Sequence, residues 1–145
     1  MRVFEWFFYL TVLLLPTQLG LHFWPDWTLV LGRRVDYLSP TIFLTDITLF
    51  LTVITWFAQK HAIKNLATTA KRHAAILVVS ALYIAMNCIG SANPLLTVYK
   101  WGKVFEYLLF FYYIYASKPS VKNITYALGI GVLYSSIIAI TQFFM

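Results

Sequence analysis

Cysteine is almost absent from this chain and charge is scarce. A single cysteine, Cys88, rules out an intrachain disulfide and every metal site built on several thiolates. Charged residues make up 11% of the 145, and they gather between long apolar runs, which is not how a water-facing globule is clothed. The short motifs of common catalysis are missing too: no Walker loop, no HExxH, no nucleophile elbow and no CxxC. His61 and His73 stand far apart with no acidic or thiol partner beside them, so they do not suggest a metal site. His22 lies near Asp26, but one such pair is common and reads as an interfacial residue. Neither a cofactor nor a metal is expected.

What is present is hydrocarbon. Apolar residues make up 61% and aromatics 19%, with a mean hydropathy of +0.75. The apolar runs approach the ~20 residues that carry a helix across a ~30 Å hydrocarbon core. Backbone groups in lipid must be satisfied within the segment, so the runs are read as helices. The expected fold class is an all-α, polytopic integral membrane protein, a single membrane domain with spans near 3–21, 40–58, 74–89, 97–117 and 124–145. The net charge of +6 does not point to nucleic acid, because the cations sit in short loops beside the spans. Membrane topology and anionic lipid account for them.

The first span, Val3 to about Leu21, has a cleaved signal peptide as its rival. Glu5 sits early, the apolar run is long, and PTQLG at Pro16 to Gly20 is a poor cleavage site, which favours an uncleaved helix. In the loop from His22 to Ser39, Trp24, Trp27 and Tyr37 suit a membrane-water interface. Ser39-Pro40 reads as the start of the second span, serine capping and proline at the first helical position. Within that span Thr41, Thr45, Thr48, Thr52 and Thr55 recur at spacings of 4, 3, 4 and 3, one polar seam on one face.

From Gln59 to His73, Lys60, Lys64, Lys71 and Arg72 alternate with Ile63, Leu66, Ala67 and Ala70 at helical spacing. That pattern suits a short helix lying on a membrane surface, and it also serves as a positive-inside signal. On the third span Ala74, Ala81, Ala85 and Cys88 form an expected packing seam, and GSANPLL from Gly90 is a turn. Tyr112, Tyr113, Tyr115 and Lys118 read as an interfacial anchor closing the fourth span. On the fifth, Ala127, Gly131, Ser135 and Ala139 recur every four residues, the small-xxx-small spacing of close helix contact.

Cations near the span ends place Arg2, Lys60, Lys64, Lys71, Arg72, Lys118 and Lys122 on one side and Arg33, Arg34, Lys100 and Lys103 on the other. The amino terminus is therefore expected in the cytoplasm and the carboxyl end outside. Arg33 and Arg34 are exceptions to that rule, with pairing to nearby Asp26 and Asp36 as the alternative. Together with Lys100 and Lys103 they suit the oxygens of a lipid diphosphate at the outer leaflet, the alternative being contact with ordinary lipid headgroups. Asp46 and Lys103 both fall about six residues into their spans. A charge at that depth needs a partner or water, so either Asp46 faces Lys103 or Lys103 pairs with Glu106 one turn on.

PTQLG, VLGRRVDYLSPTIFLTD, WGKVFE at Trp101 to Glu106 and ITQF near the end together resemble the amino-terminal region of the O-antigen ligase and O-antigen polymerase family. The resemblance implies a bacterial inner-membrane, multi-pass protein with a GT-C-like fold. Such enzymes act on a glycan carried by undecaprenyl diphosphate, which ligases attach to lipid A core and polymerases extend. The family's catalytic arginines and histidine belong to a large outer loop and later spans that have no equivalent here. The chain is therefore expected to be an inactive amino-terminal part whose partners are membrane lipids, the carrier-linked glycan and the remaining spans. The alternative is a small non-enzymatic membrane scaffold or a part of a transporter, its charges serving packing or lining a passage.

Overall fold

The computed structural model describes residues 2–17 and 19–144. Gln18 within PTQLG, Met145, and the side chains of Val30, Tyr37 and Lys60 lie outside what is described. The chain is mostly helical, with α1 Val3–Leu14, α2 Leu44–Phe57, α3 Lys60–Arg72, α4 Ala74–Gly90, α5 Pro94–Ser117 and α6 Val121–Phe144. Two short ladders interrupt the helices: β1 Gly20–His22 pairs with β4 Thr41–Phe43, and β2 Leu29–Val30 pairs with β3 Arg33–Arg34.

α5 and α6 begin three residues earlier than expected, at Pro94 and Val121, and two other boundaries differ more. α1 stops at Leu14, because Pro16 has no N–H for the next rung of the helix. Thr17 then closes the turn, its N–H and hydroxyl both donating to the Leu14 carbonyl at 2.9 and 2.7 Å. α2 starts at Leu44 and not at Ser39-Pro40. Ser39 turns its hydroxyl to the Asp36 carbonyl at 3.0 Å, and the run Thr41–Phe43, β-branched and aromatic, pairs as a strand.

Contacts divide the chain into two compact units. The first comprises Met1–Leu21, Ile42–Trp56 and Leu109–Met145. Its core is aromatic. Phe4 and Phe8, one turn apart on α1, meet Tyr113 at ring-centroid distances of 6.0 and 5.1 Å, and Trp56 of α2 meets the same ring edge-on at 5.5 Å. Tyr113 is completely buried, so it is a core residue and not part of the expected interfacial anchor. Thr48 and Thr52 of the expected seam are buried with Leu49 and Val53, each hydroxyl donating back to a carbonyl of the preceding turn. Ala127 and Gly131 are the buried residues of α6. A side chain at Gly131 would strike the Leu13 carbonyl oxygen and come within 3.2 Å of Pro16 Cδ, so the small-residue stripe is where α6 closes on α1.

The second unit comprises His22–Thr41 and Phe57–Leu108. In it α3 and α4 meet at His73 with a bend of 82°. The expected alanine seam of α4 is not covered: Ala74, Ala81 and Ala85 are exposed, Cys88 is half-covered, and no residue of α4 is buried. Among the described residues α6 is long and apolar enough to cross a membrane alone, and the bent α3–α4 pair passes the same test only when taken together. α1 and α2 are shorter apolar helices, and α5 interrupts its apolar length with Lys100, Lys103 and Glu106.

Candidate functional site

The segment from His22 to Thr41 is built as a closed loop. At its base the Phe23 N–H donates to the Pro40 carbonyl at 2.9 Å. At its tip β2 and β3 form a hairpin in register, Leu29 opposite Arg34 and Val30 opposite Arg33. Leu31 and Gly32 make the two-residue turn with φ of 51° and 73°, the left-handed pair whose twist suits a tight hairpin. Arg33 and Arg34 are adjacent and exposed on its outgoing strand. The Arg34 guanidinium lies 5.5 Å from the Trp24 ring centroid, and His22 stacks on the same indole at 5.9 Å.

Two side chains of the α5 region fasten this loop. Asn93 caps α5, its Oδ1 accepting from the Leu96 N–H at 3.4 Å, with Pro94 at the first helical position. Its Nδ2 donates to the Trp27 carbonyl at 2.9 Å. Farther along, the Tyr99 hydroxyl accepts from the Thr41 N–H at 2.9 Å and donates to the Thr41 carbonyl at 2.7 Å. One phenol thus satisfies both backbone groups of a residue where β4 begins. Tyr99, Asn93 and Trp24 have no sequence signature for these roles, since their partners lie 58 and 66 residues away in the case of Tyr99 and Asn93.

Lys103 and Glu106 form an ion pair at 3.5 Å along α5, both about one-fifth exposed, as the second of the two pairing expectations has it. Lys103 Nζ also lies 5.8 Å from the Tyr99 ring centroid. Lys100 is exposed on the same helix. The four cations read as diphosphate ligands thus have different settings: Arg33 and Arg34 belong to the hairpin, Arg34 resting on Trp24, whereas Lys103 is engaged with an acid on its own helix.

Asp46 belongs to the first unit, and there its Oδ2 accepts from the Phe43 N–H at 2.7 Å. Phe43 directly precedes α2, so Asp46 caps the start of its own helix from the third position. Glu5 does the same for α1, accepting from the Arg2 N–H at 3.0 Å. Among the described residues no three of His, Cys, Asp and Glu converge in the manner of metal ligands. Comparison with family models, with curated proteins and with solved structures yields no match to this chain.

Proposed function

We propose that the chain is a multi-pass membrane domain, and that it forms the amino-terminal transmembrane part of a bacterial surface-glycan ligase or polymerase of the O-antigen type. The membrane reading rests on one observation in the second unit. α4 is apolar apart from Ser80 and Asn87, and eight of its large apolar side chains between Ile76 and Ile89 are exposed. At about 1.5 kcal/mol for each side chain left in water, the deficit is roughly 12 kcal/mol, comparable to the whole stability of a domain. A lipid surround removes it.

The two ends of α4 support the same reading. At its start, α3 turns off at 82° with Lys64, Lys71 and Arg72 exposed, the attitude of a basic helix lying in a membrane plane beside a spanning one. Just beyond its end, Asn93 holds the loop that carries Trp24, Trp27 and the arginine pair. The 17 residues of α4 rise about 25 Å, close to a hydrocarbon core of ~30 Å.

The glycan reading rests on the resemblance and on the chemistry of the cations. Arg33 and Arg34 offer forked donors and Lys100 a point charge, groups suited to a carrier diphosphate. Binding of undecaprenyl diphosphate to the full chain in phosphatidylcholine nanodiscs tests it. Arg33→Gln with Arg34→Gln is expected to weaken binding by about tenfold or more, the loss of charge-assisted hydrogen bonds to phosphate. Equal affinity of wild type and variant overturns the role. A non-enzymatic scaffold is the second reading, favoured by the structural employment of Glu5, Asp46, Lys103 and Glu106 in caps and an ion pair. It predicts no carrier binding at all.

A further inference from the structure

The tip of the β2–β3 hairpin carries a residue that neither water nor the backbone favours. Leu31 is 97% exposed, more than any other large apolar side chain among the described residues. It also sits at φ 51°, in the left-handed region where a leucine is disfavoured and asparagine, aspartate or glycine is the ordinary choice for this turn. A soluble hairpin would gain on both counts by replacing it. Immediately beyond the turn stand Arg33 and Arg34, both exposed. Asp26 and Asp36 lie in the same loop, at its two 3-10 turns, yet among the described residues neither forms an ion pair with the arginines. Trp24, under the Arg34 guanidinium, gives the base of the hairpin an amphipathic ring.

We propose that this hairpin is a membrane-docking tip: Leu31 enters the acyl region of an anionic phospholipid leaflet while Arg33 and Arg34 hold headgroup phosphates on either side of it. Apolar insertion and cation-phosphate contact are the two terms of interfacial binding, and the turn places them two residues apart. The loop that carries the tip is tied through Trp27 to Asn93 and through Thr41 to Tyr99. The inference rests on the membrane reading above but not on the carrier reading.

The test uses the full chain with Cys88→Ser and Leu31→Cys, labelled at residue 31 with an environment-sensitive dye and reconstituted into vesicles. Vesicles of phosphatidylcholine with and without phosphatidylglycerol carry a spin label high on the acyl chain. Strong quenching by the lipid label is expected in the anionic vesicles, with little quenching by aqueous iodide. Arg33→Gln with Arg34→Gln should weaken insertion by about thirtyfold. Full iodide access with no lipid quenching overturns the proposal, as does equal quenching with and without phosphatidylglycerol. If undecaprenyl diphosphate in neutral vesicles drives insertion and phosphatidylglycerol does not, the headgroup assignment is overturned in favour of the carrier.

Leu31→Asn separates docking from folding. It should keep or raise the melting temperature in neutral detergent, because asparagine accepts the left-handed turn, and should lose the increase that phosphatidylglycerol gives the wild type. A lowered melting temperature in neutral detergent would mean that Leu31 supports the fold, and the proposal fails. Resistance of the chain to alkaline extraction from membranes tests the underlying membrane reading by itself.

Discussion

Gly131→Ala should destabilise the first unit although alanine is the better helix former. An ideal Cβ at Gly131 meets the Leu13 carbonyl oxygen and stands 2.9 Å from the Leu13 carbonyl carbon. Both are backbone atoms at the last turn of α1, so no side-chain rotation relieves the collision, and the helices must separate. Overfilling of a packed contact costs about 1–3 kcal/mol. Gly129, two residues earlier on α6, has nothing within 4 Å of the same position, and there alanine should gain about 0.5–1 kcal/mol from helix propensity. The two substitutions therefore differ by roughly 2–4 kcal/mol in opposite directions, about 5–15 °C in melting temperature for a chain of this length. Thermal unfolding of both variants in one detergent, followed by the fluorescence of Trp56 and its fellow indoles, reads the gap. If Gly131→Ala melts at or above Gly129→Ala, the close approach of α6 to α1 is not real.

The remaining predictions concern polar groups. Tyr99→Phe leaves the Thr41 N–H and carbonyl without their phenol and should cost about 1–3 kcal/mol, with faster amide exchange at Thr41 than in wild type; unchanged exchange would refute the clamp. Asp46→Ala should cost about 0.5–2 kcal/mol of thermal stability while Asp46→Asn, which keeps an acceptor for the Phe43 N–H, restores most of it. Were a cation the main partner of Asp46, the asparagine variant would melt as low as the alanine one. Neutralising Lys103 or Glu106 singly should harm stability more than neutralising both, with a coupling of about 0.5–3 kcal/mol in a double-mutant cycle; additive losses would show that the pair is incidental.

Periodicity was the readable part of the chain. The basic amphipathic stretch is a helix, Lys60–Arg72, because its apolar and cationic positions alternate at the helical period whatever surrounds them. The stripe Ala127, Gly131 and Ser135 is legible for the same reason, and its first two members are buried. Tyr113 shows the opposite case. A tyrosine among tyrosines near a helix end has the composition of an interfacial anchor, and only the arrival of Phe4, Phe8 and Trp56 makes it a core residue. The alanines of α4 misled in the converse direction, since small residues permit a close helix contact without supplying the helix to make it. The loop ties through Asn93 and Tyr99 lay beyond reading because they join segments through backbone groups, which carry no residue identity.

The position of Asp46 shows how one helix boundary decides a functional reading. With α2 starting at Ser39-Pro40, Asp46 lies about six residues deep in an apolar span and demands a cation. With α2 starting at Leu44, it lies in the first turn, where free N–H groups and the positive end of the helix dipole accept a carboxylate readily. Depth alone therefore does not carry the expected pairing with Lys103, since the Phe43 N–H already engages Asp46 Oδ2. Lys103 is different. It stands in the interior of α5, more than two turns from Pro94, where the backbone ladder is closed and offers an ammonium group no acceptor. Its need for a partner survives the shift in boundaries, and Glu106 at 3.5 Å meets it.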